Sequence, residues 1–149
     1  MIKMKYSFNA RLDRLGLHDS SIEKMERVGT DVIIDFDWAK LADFEEMDLG
    51  PLIVRPSRIV LRNVESEKYS KEKTKGIISK ISKPDDFLTY FETIGENEST
   101  NDKRIRISGL YMKSPEYSWI NLEFKFNSFK FGWDNHVTQE EWLQGKLPE

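Results

Sequence analysis

Two histidines and a dense set of acids are the groups in this chain that could do chemistry. His18 stands next to Asp19, a pairing that could ligate a metal or act as a base with its orienting carboxylate. Adjacent residues on extended backbone point opposite ways, so His18, Asp19 and Ser20 read instead as a structural turn ahead of a first hairpin, with Ser20 capping backbone amides. His136 falls in a turn just before a helix cap and reads as local. With no Cys in the chain, a zinc site would need both histidines plus carboxylates from elsewhere. Asp35 and Asp37 would stand about 7 Å apart on one strand face, within range for a glycosidase pair. Among 26 acids such pairs arise by chance, and a solvated strand face is the simpler reading. No serine has the glycine-flanked setting of a nucleophile elbow, and neither G-x-G nor G-K-[ST] occurs, which argues against phosphate-cradling loops. The expectation is therefore no catalytic residue, no metal and no cofactor.

Charge is distributed in blocks. Between Asp35 and Gly50 the acids Asp35, Asp37, Asp43, Glu45, Glu46 and Asp48 face a single base, Lys40. From Arg55 to Lys83 bases dominate, and from Asp85 to Asp102 there are only acids. Such blocks are either solvated faces that neutralise one another in space or a polarised surface that steers a charged partner. The formal net charge of −3 points away from a nucleic-acid-coating protein. The basic stretch holds only Tyr69 as a stacking aromatic, which is poor for a single-strand platform, and residues 68–75 read as a solvated loop. No apolar run approaches the roughly 18 to 20 residues that cross a bilayer, and the start lacks a secretory apolar segment. A cytoplasmic protein is expected, in which the sequon Asn97-Glu98-Ser99 is accidental.

The elements that must position these groups are mostly strands. Val32, Ile34, Phe36 and Trp38 alternate with Asp31, Asp35 and Asp37; Ile105, Ile107 and Tyr111 alternate with Arg104, Arg106 and Ser108; Ile120, Leu122, Phe124 and Phe126 alternate with Asn121, Glu123 and Lys125. Each pattern is that of a half-buried antiparallel strand. At Asn127-Ser128 the phase slips before Phe129, Phe131 and Trp133 resume, which suggests a β-bulge or a two-residue turn. Met112–Tyr117, with Pro115, reads as a turn between neighbouring strands. Thr138 and Glu141 form a capping box, with Val137 and Trp142 as a staple, for a short C-terminal helix docked by Trp142 and Leu143. Asn9–Leu15 could be a short helix ended by Gly16. Two segments fit both helix and strand: Ser20–Val28, and the stretch from Pro84 to Ile94.

The run Leu17-His18-Asp19-Ser20-Ser21-Ile22, with Gly29 and then Asp31–Trp38, resembles the opening of small bacterial β-rich domains in which a His-Asp-Ser turn leads into a hairpin. Trp119–Phe126 and Phe129–Asp134 are similar to their closing strands. Some of these domains are assigned as immunity proteins that bind and block a toxin. The resemblance covers both chain ends and not residues 40–100. It implies a strand over Ser20–Val28 and makes a protein partner thinkable.

The length of 149 residues fits one domain, with a buried fraction on the order of 70% that needs no staple. The expected architecture is mainly β or α+β: a curved antiparallel sheet of about six or seven strands with one or two short helices, one of them C-terminal. The expected function is a non-catalytic module whose acids Asp35, Asp37, Asp43, Glu45, Glu46 and Asp48 engage a basic protein surface, as an immunity-type protein would. The alternative is a small hydrolase or ligand-binding enzyme with a cleft near His18 and His136.

Overall fold

In the computed structural model, residues 4–74, 77–113 and 118–149 are described. The chain is mainly β, with antiparallel pairing throughout. The larger sheet has seven strands: β1 (Tyr6–Phe8), β2 (Leu15–Gly16), β3 (Ile22–Val28), β4 (Asp31–Phe36), β5 (Ala39–Leu41), β6 (Leu52–Arg62) and β12 (Ser128–Thr138). Their spatial order is β1-β12-β6-β4-β3, with β5 continuing the line of β4 along β6 and β2 pairing β5. A second sheet of five strands accompanies it, formed by β7 (Ser66–Thr74), β8 (Ile77–Ile81), β9 (Phe91–Asn101), β10 (Arg104–Tyr111) and β11 (Ser118–Lys125), in the order β8-β7-β11-β10-β9.

Between the pairs Arg62↔Ser128 and Ser66↔Lys125 the segment facing Asn127 carries one residue more, as at a bulge. The one-residue slip at Asn127 is not a hairpin turn. It is a crossover: β11 ends in the five-stranded sheet and β12 begins in the seven-stranded one. The partner chain crosses at the same place, because β6 pairs β12 and β7 pairs β11. Two long antiparallel segments therefore run side by side through both sheets and bend together. Backbone bonds close the corner, from Glu65 N–H to Lys125 O at 2.8 Å and from Asn127 N–H to Arg62 O at 3.0 Å. Alternation resumes out of step after the bend so that Phe124 and Phe126 before it, and Phe129, Phe131 and Trp133 after it, all enter the interior, at 2% exposure or less. A single cluster of buried apolar side chains draws on both sheets.

The ambiguous segments resolve in physical terms. Ser20–Val28 supplies β3, an edge strand whose exposed Glu23, Lys24, Glu26 and Arg27 discourage further pairing. Pro84–Ile94 satisfies both readings in succession: one helical turn, α1 (Phe87–Tyr90), buries Phe87 against Tyr69, Phe91 and Tyr111, and β9 follows at once. Asn9–Leu15 shrinks to a 3-10 turn at Leu12–Arg14. Residues 68–74 lie in β7, where a neighbour on each side satisfies their backbone; a loop assignment made from charge alone fails there. The expected turn after Met112 falls partly on residues 114–117, outside the described residues.

The C-terminal helix, α2 (Gln139–Leu143), starts on the expected capping box. Glu141 N–H donates to Thr138 Oγ1 at 3.1 Å, and Thr138 N–H donates to Glu141 Oε1 at 3.0 Å. Docking is through Trp142, stacked on Trp38 with ring centroids 6.2 Å apart, and not through Leu143, which is 76% exposed. Among the described residues no helix is long and apolar enough to cross a membrane.

Two tests follow from these contacts. A Cβ on Gly109 would lie 2.3 Å from Thr93 O and 2.8 Å from the Phe91 ring, whereas one on Gly50 meets nothing within 4 Å. Gly109→Ala is expected to cost about 2 kcal/mol in urea unfolding and Gly50→Ala less than about 0.5 kcal/mol. In the capping box, Lys146 and the Thr138 amide and hydroxyl hold the Glu141 carboxyl down to about 2, from an ordinary 4.5. Because the folded value is depressed, its contribution is complete above 4.5 and is lost as the pH falls toward 2. A carboxyl NMR titration should place Glu141 near 2 and move it upward in Thr138→Ala; a midpoint near 4.5 in the wild type would refute the cap.

Candidate functional site

The six acids singled out in the sequence do not form one patch. Asp35 lies on β4 and is held by Arg58 of β6, its cross-strand partner, with Nε–Oδ1 at 2.6 Å and Nη2–Oδ2 at 3.1 Å. Hydrogen bonding to Asp35 raises the Arg58 guanidinium above its ordinary range. Asp37 follows the end of β4, with its amide on Ser21 O. Asp43, Glu45, Glu46 and Asp48 do come together, in the loop between β5 and β6. That loop is closed by paired backbone bonds between Phe44 and Leu49 at 3.1 and 3.2 Å, and it is pinned to the core by the Phe44 ring, edge-on to Trp133 at 4.9 Å.

Two arginines from the 3-10 turn organise this corner, and sequence reasoning missed both. Arg11 clasps Asp43 with both terminal nitrogens, at 3.1 and 3.3 Å, and reaches Glu45 at 3.1 Å. Arg14 clasps Glu46 at 2.7 and 2.9 Å, lies 3.5 Å from Asp43 and donates to Ala10 O. Although charged, Arg14 is only 4% exposed; its guanidinium sits 4.1 Å from the centre of the Phe8 ring. A buried cation on an aromatic face needs its carboxylate nearby, so Glu46 is held below the usual carboxylate range by that hydrogen bond. Asp102 adds a further acid by accepting from the Arg11 and Leu12 amides at 3.0 and 2.8 Å.

The pairing leaves the corner negative. Asp13, Asp43, Glu45 and Glu46 lie near two guanidiniums, Asp48 follows in the same loop, and between them Met47 is 47% exposed. The arrangement is an exposed apolar side chain flanked along the chain by Glu45, Glu46 and Asp48, on a braced loop. Neither arginine carries a sequence signature; the exposed methionine within an acidic run was the one visible signal.

The histidines take no common site. Asp19 has a left-handed backbone, φ 69°, so its side chain does reach His18, at 3.4 Å, against the expectation drawn from extended geometry. Both groups are largely exposed. His18 Nδ1 is 2.6 Å from Gly95 O, Asp19 N–H donates to Ile94 O at 2.9 Å, and Ser20 Oγ donates to Trp38 O at 2.5 Å. The turn thus ties β9 of one sheet to the other sheet. His136 lies within β12 and not in a turn; its Nδ1 accepts from Trp133 Nε1 at 3.3 Å. The open cleft beside it, of ≈ 450 Å³, is lined by residues 136–149 and excludes His18. Among the described residues no group of three His, Asp or Glu could hold a metal ion. No family model, curated protein or solved structure matches the chain.

If Glu46 supports Arg14, then Glu46→Gln should lower stability by about 1–2 kcal/mol at neutral pH. The folded pKa is depressed, so the deficit should be full above 4.5 and shrink as the pH falls through the lower folded value. Urea unfolding of both proteins across that range checks the sign.

Proposed function

We propose that this chain is a non-catalytic, cytoplasmic protein-binding module of the immunity type, in which the acidic corner engages a basic surface on a toxin-like protein partner. The observation that supports it best is Met47, left exposed on a braced loop between the acids Glu45, Glu46 and Asp48. Interfaces concentrate their energy in a few apolar anchors surrounded by polar groups, and a charged rim sets the rate of encounter. The bracing matters because a loop already held by Arg11 and Arg14 loses little conformational freedom on binding.

The test spares Asp43 and Glu46, the carboxylates that Arg11 and Arg14 clasp with both terminal nitrogens. A photo-reactive side chain at position 47 identifies the partner in the native cell, and purified proteins then give the rates. Glu45→Gln with Asp48→Asn should slow association by about tenfold at low salt and flatten its salt dependence. Met47→Ser should instead speed dissociation, at a cost above about 1 kcal/mol. Wild-type rates in both variants would refute this reading.

A further inference from the structure

We propose that the outward face of the five-stranded sheet carries a binding site for an oxyanion, a phosphoryl or carboxylate group, at Lys68, Ser70 and Lys80. This site is separate from the acidic corner and does not depend on it.

The sheet register builds the site. Outward positions on β7, β11, β10 and β9 form rows across the strands: Lys68, Glu123, Arg106 and Glu98 in one, and Ser70, Asn121, Ser108 and Glu96 in the next. Lys80 of the edge strand β8 extends the second row, directly opposite Ser70. A cleft of ≈ 270 Å³ opens over these residues, lined by both lysines, Ser70, Ile78, Arg106, Asn121 and Glu123.

The charges in that cleft are unequally spent. Glu123 is held by Arg104, and Arg106 is held by Glu98 at 2.8 Å with Glu96 at 3.8 Å, so these three carboxylates already face guanidiniums. Lys68 and Lys80 have no ion-pair partner among the described residues. Glu72, the next outward position on β7, bounds the site on one side.

A hydrogen-bond chain adds direction. Ser108, with no exposure, donates to Asn121 Oδ1 at 2.6 Å, and Asn121 Nδ2 donates to Ser70 Oγ at 3.1 Å. The Ser70 oxygen is thereby an acceptor within the chain, and its own proton has no acceptor among the described residues. One hydroxyl donor between two unpaired ammoniums is complementary to an oxygen anion. Asn121 and Ser108 act as positioning residues, aligning Ser70 from beneath.

Amide NMR titrations of the full chain with inorganic phosphate and, separately, with acetate test this, at constant ionic strength set with chloride. Saturable shifts confined to residues 68–70, 79–81 and 121 are expected with at least one anion, and the anion that saturates identifies the source. Lys68→Gln with Lys80→Gln should weaken that binding by about tenfold or more, Ser70→Ala should weaken it severalfold, and Lys130→Gln on the other sheet should leave it unchanged. Non-saturating shifts with both anions, or equal affinity in the double lysine variant, would overturn the proposal and leave general salt screening as the cause. Because Ser70→Ala touches one hydroxyl at the surface, it keeps the test open if the lysine variant folds poorly.

Discussion

Everything in this fold depends on one long antiparallel pair bent across two sheets. From Leu52 to Thr74 and from Ser118 to Thr138 the two segments are paired on both sides of the corner, with the register offset by one residue across it. A one-residue slip would turn an apolar face outward; along 52–74 the inward positions keep their parity (Ile59, Leu61, then Tyr69), so the change of phase falls on the other segment, between Phe126 and Phe129. Asn63 lies in the bend, with a left-handed φ of 50°, its amide on Asp31 Oδ1 at 2.9 Å and its side chain on Thr30. The hairpin turn between β3 and β4 thus supports the corner, and Val64 N–H donates to Thr30 O at 2.8 Å. The shared core exists because this corner aims both sheets at the same apolar interior.

A second join closes the structure at the other end of the five-stranded sheet. The His18-Asp19-Ser20 turn exchanges backbone bonds with Ile94, and Asn97 reaches the backbone on both sides, accepting from Leu17 N–H and donating to Leu15 O, each at 2.9 Å. Together with Asp102 under the Arg11 and Leu12 amides, this fixes the 3-10 turn that carries Arg11 and Arg14. The acidic loop is therefore braced from β9 and its following turn, far from it in the chain.

What was legible in the sequence was whatever rests on local periodicity. The strands read over Asp31–Trp38, Lys103–Tyr111 and Trp119–Phe126 and the capping box at Thr138 depend on neighbours two to four positions away; the box stands as read, and the strands return with ends within two residues, β4 stopping at Phe36 short of Trp38. The crossover at Asn127 was not legible, because a bulge, a tight turn and a change of sheet all produce the same slip in alternation. Residues 68–74 misled for a related reason: in β7 one face of the strand is solvated, so a charged strand and a charged loop have the same composition. Arg14 was invisible because its burial is decided by Phe8, Asp43 and Glu46, groups brought to it only by the tertiary fold.

The same logic bears on function. The alternating charge blocks largely cancel across strands, as in Arg58 with Asp35, Arg106 with Glu98 and Arg104 with Glu123. A charge already matched by its cross-strand neighbour has little to offer a partner, since separating the pair would cost what a new contact gains. The informative charges are those the fold leaves unmatched. Among the described residues two places of opposite sign stand out, the loop around Met47, where carboxylates outnumber the two guanidiniums that brace them, and the ammoniums of Lys68 and Lys80. The first exposes an apolar side chain and suits a protein surface; the second surrounds a hydroxyl donor in a cleft and suits a single anionic group. The difference follows from geometry, because a convex loop tip exposes an anchor while the row of a pleated sheet can only offer a shallow bed.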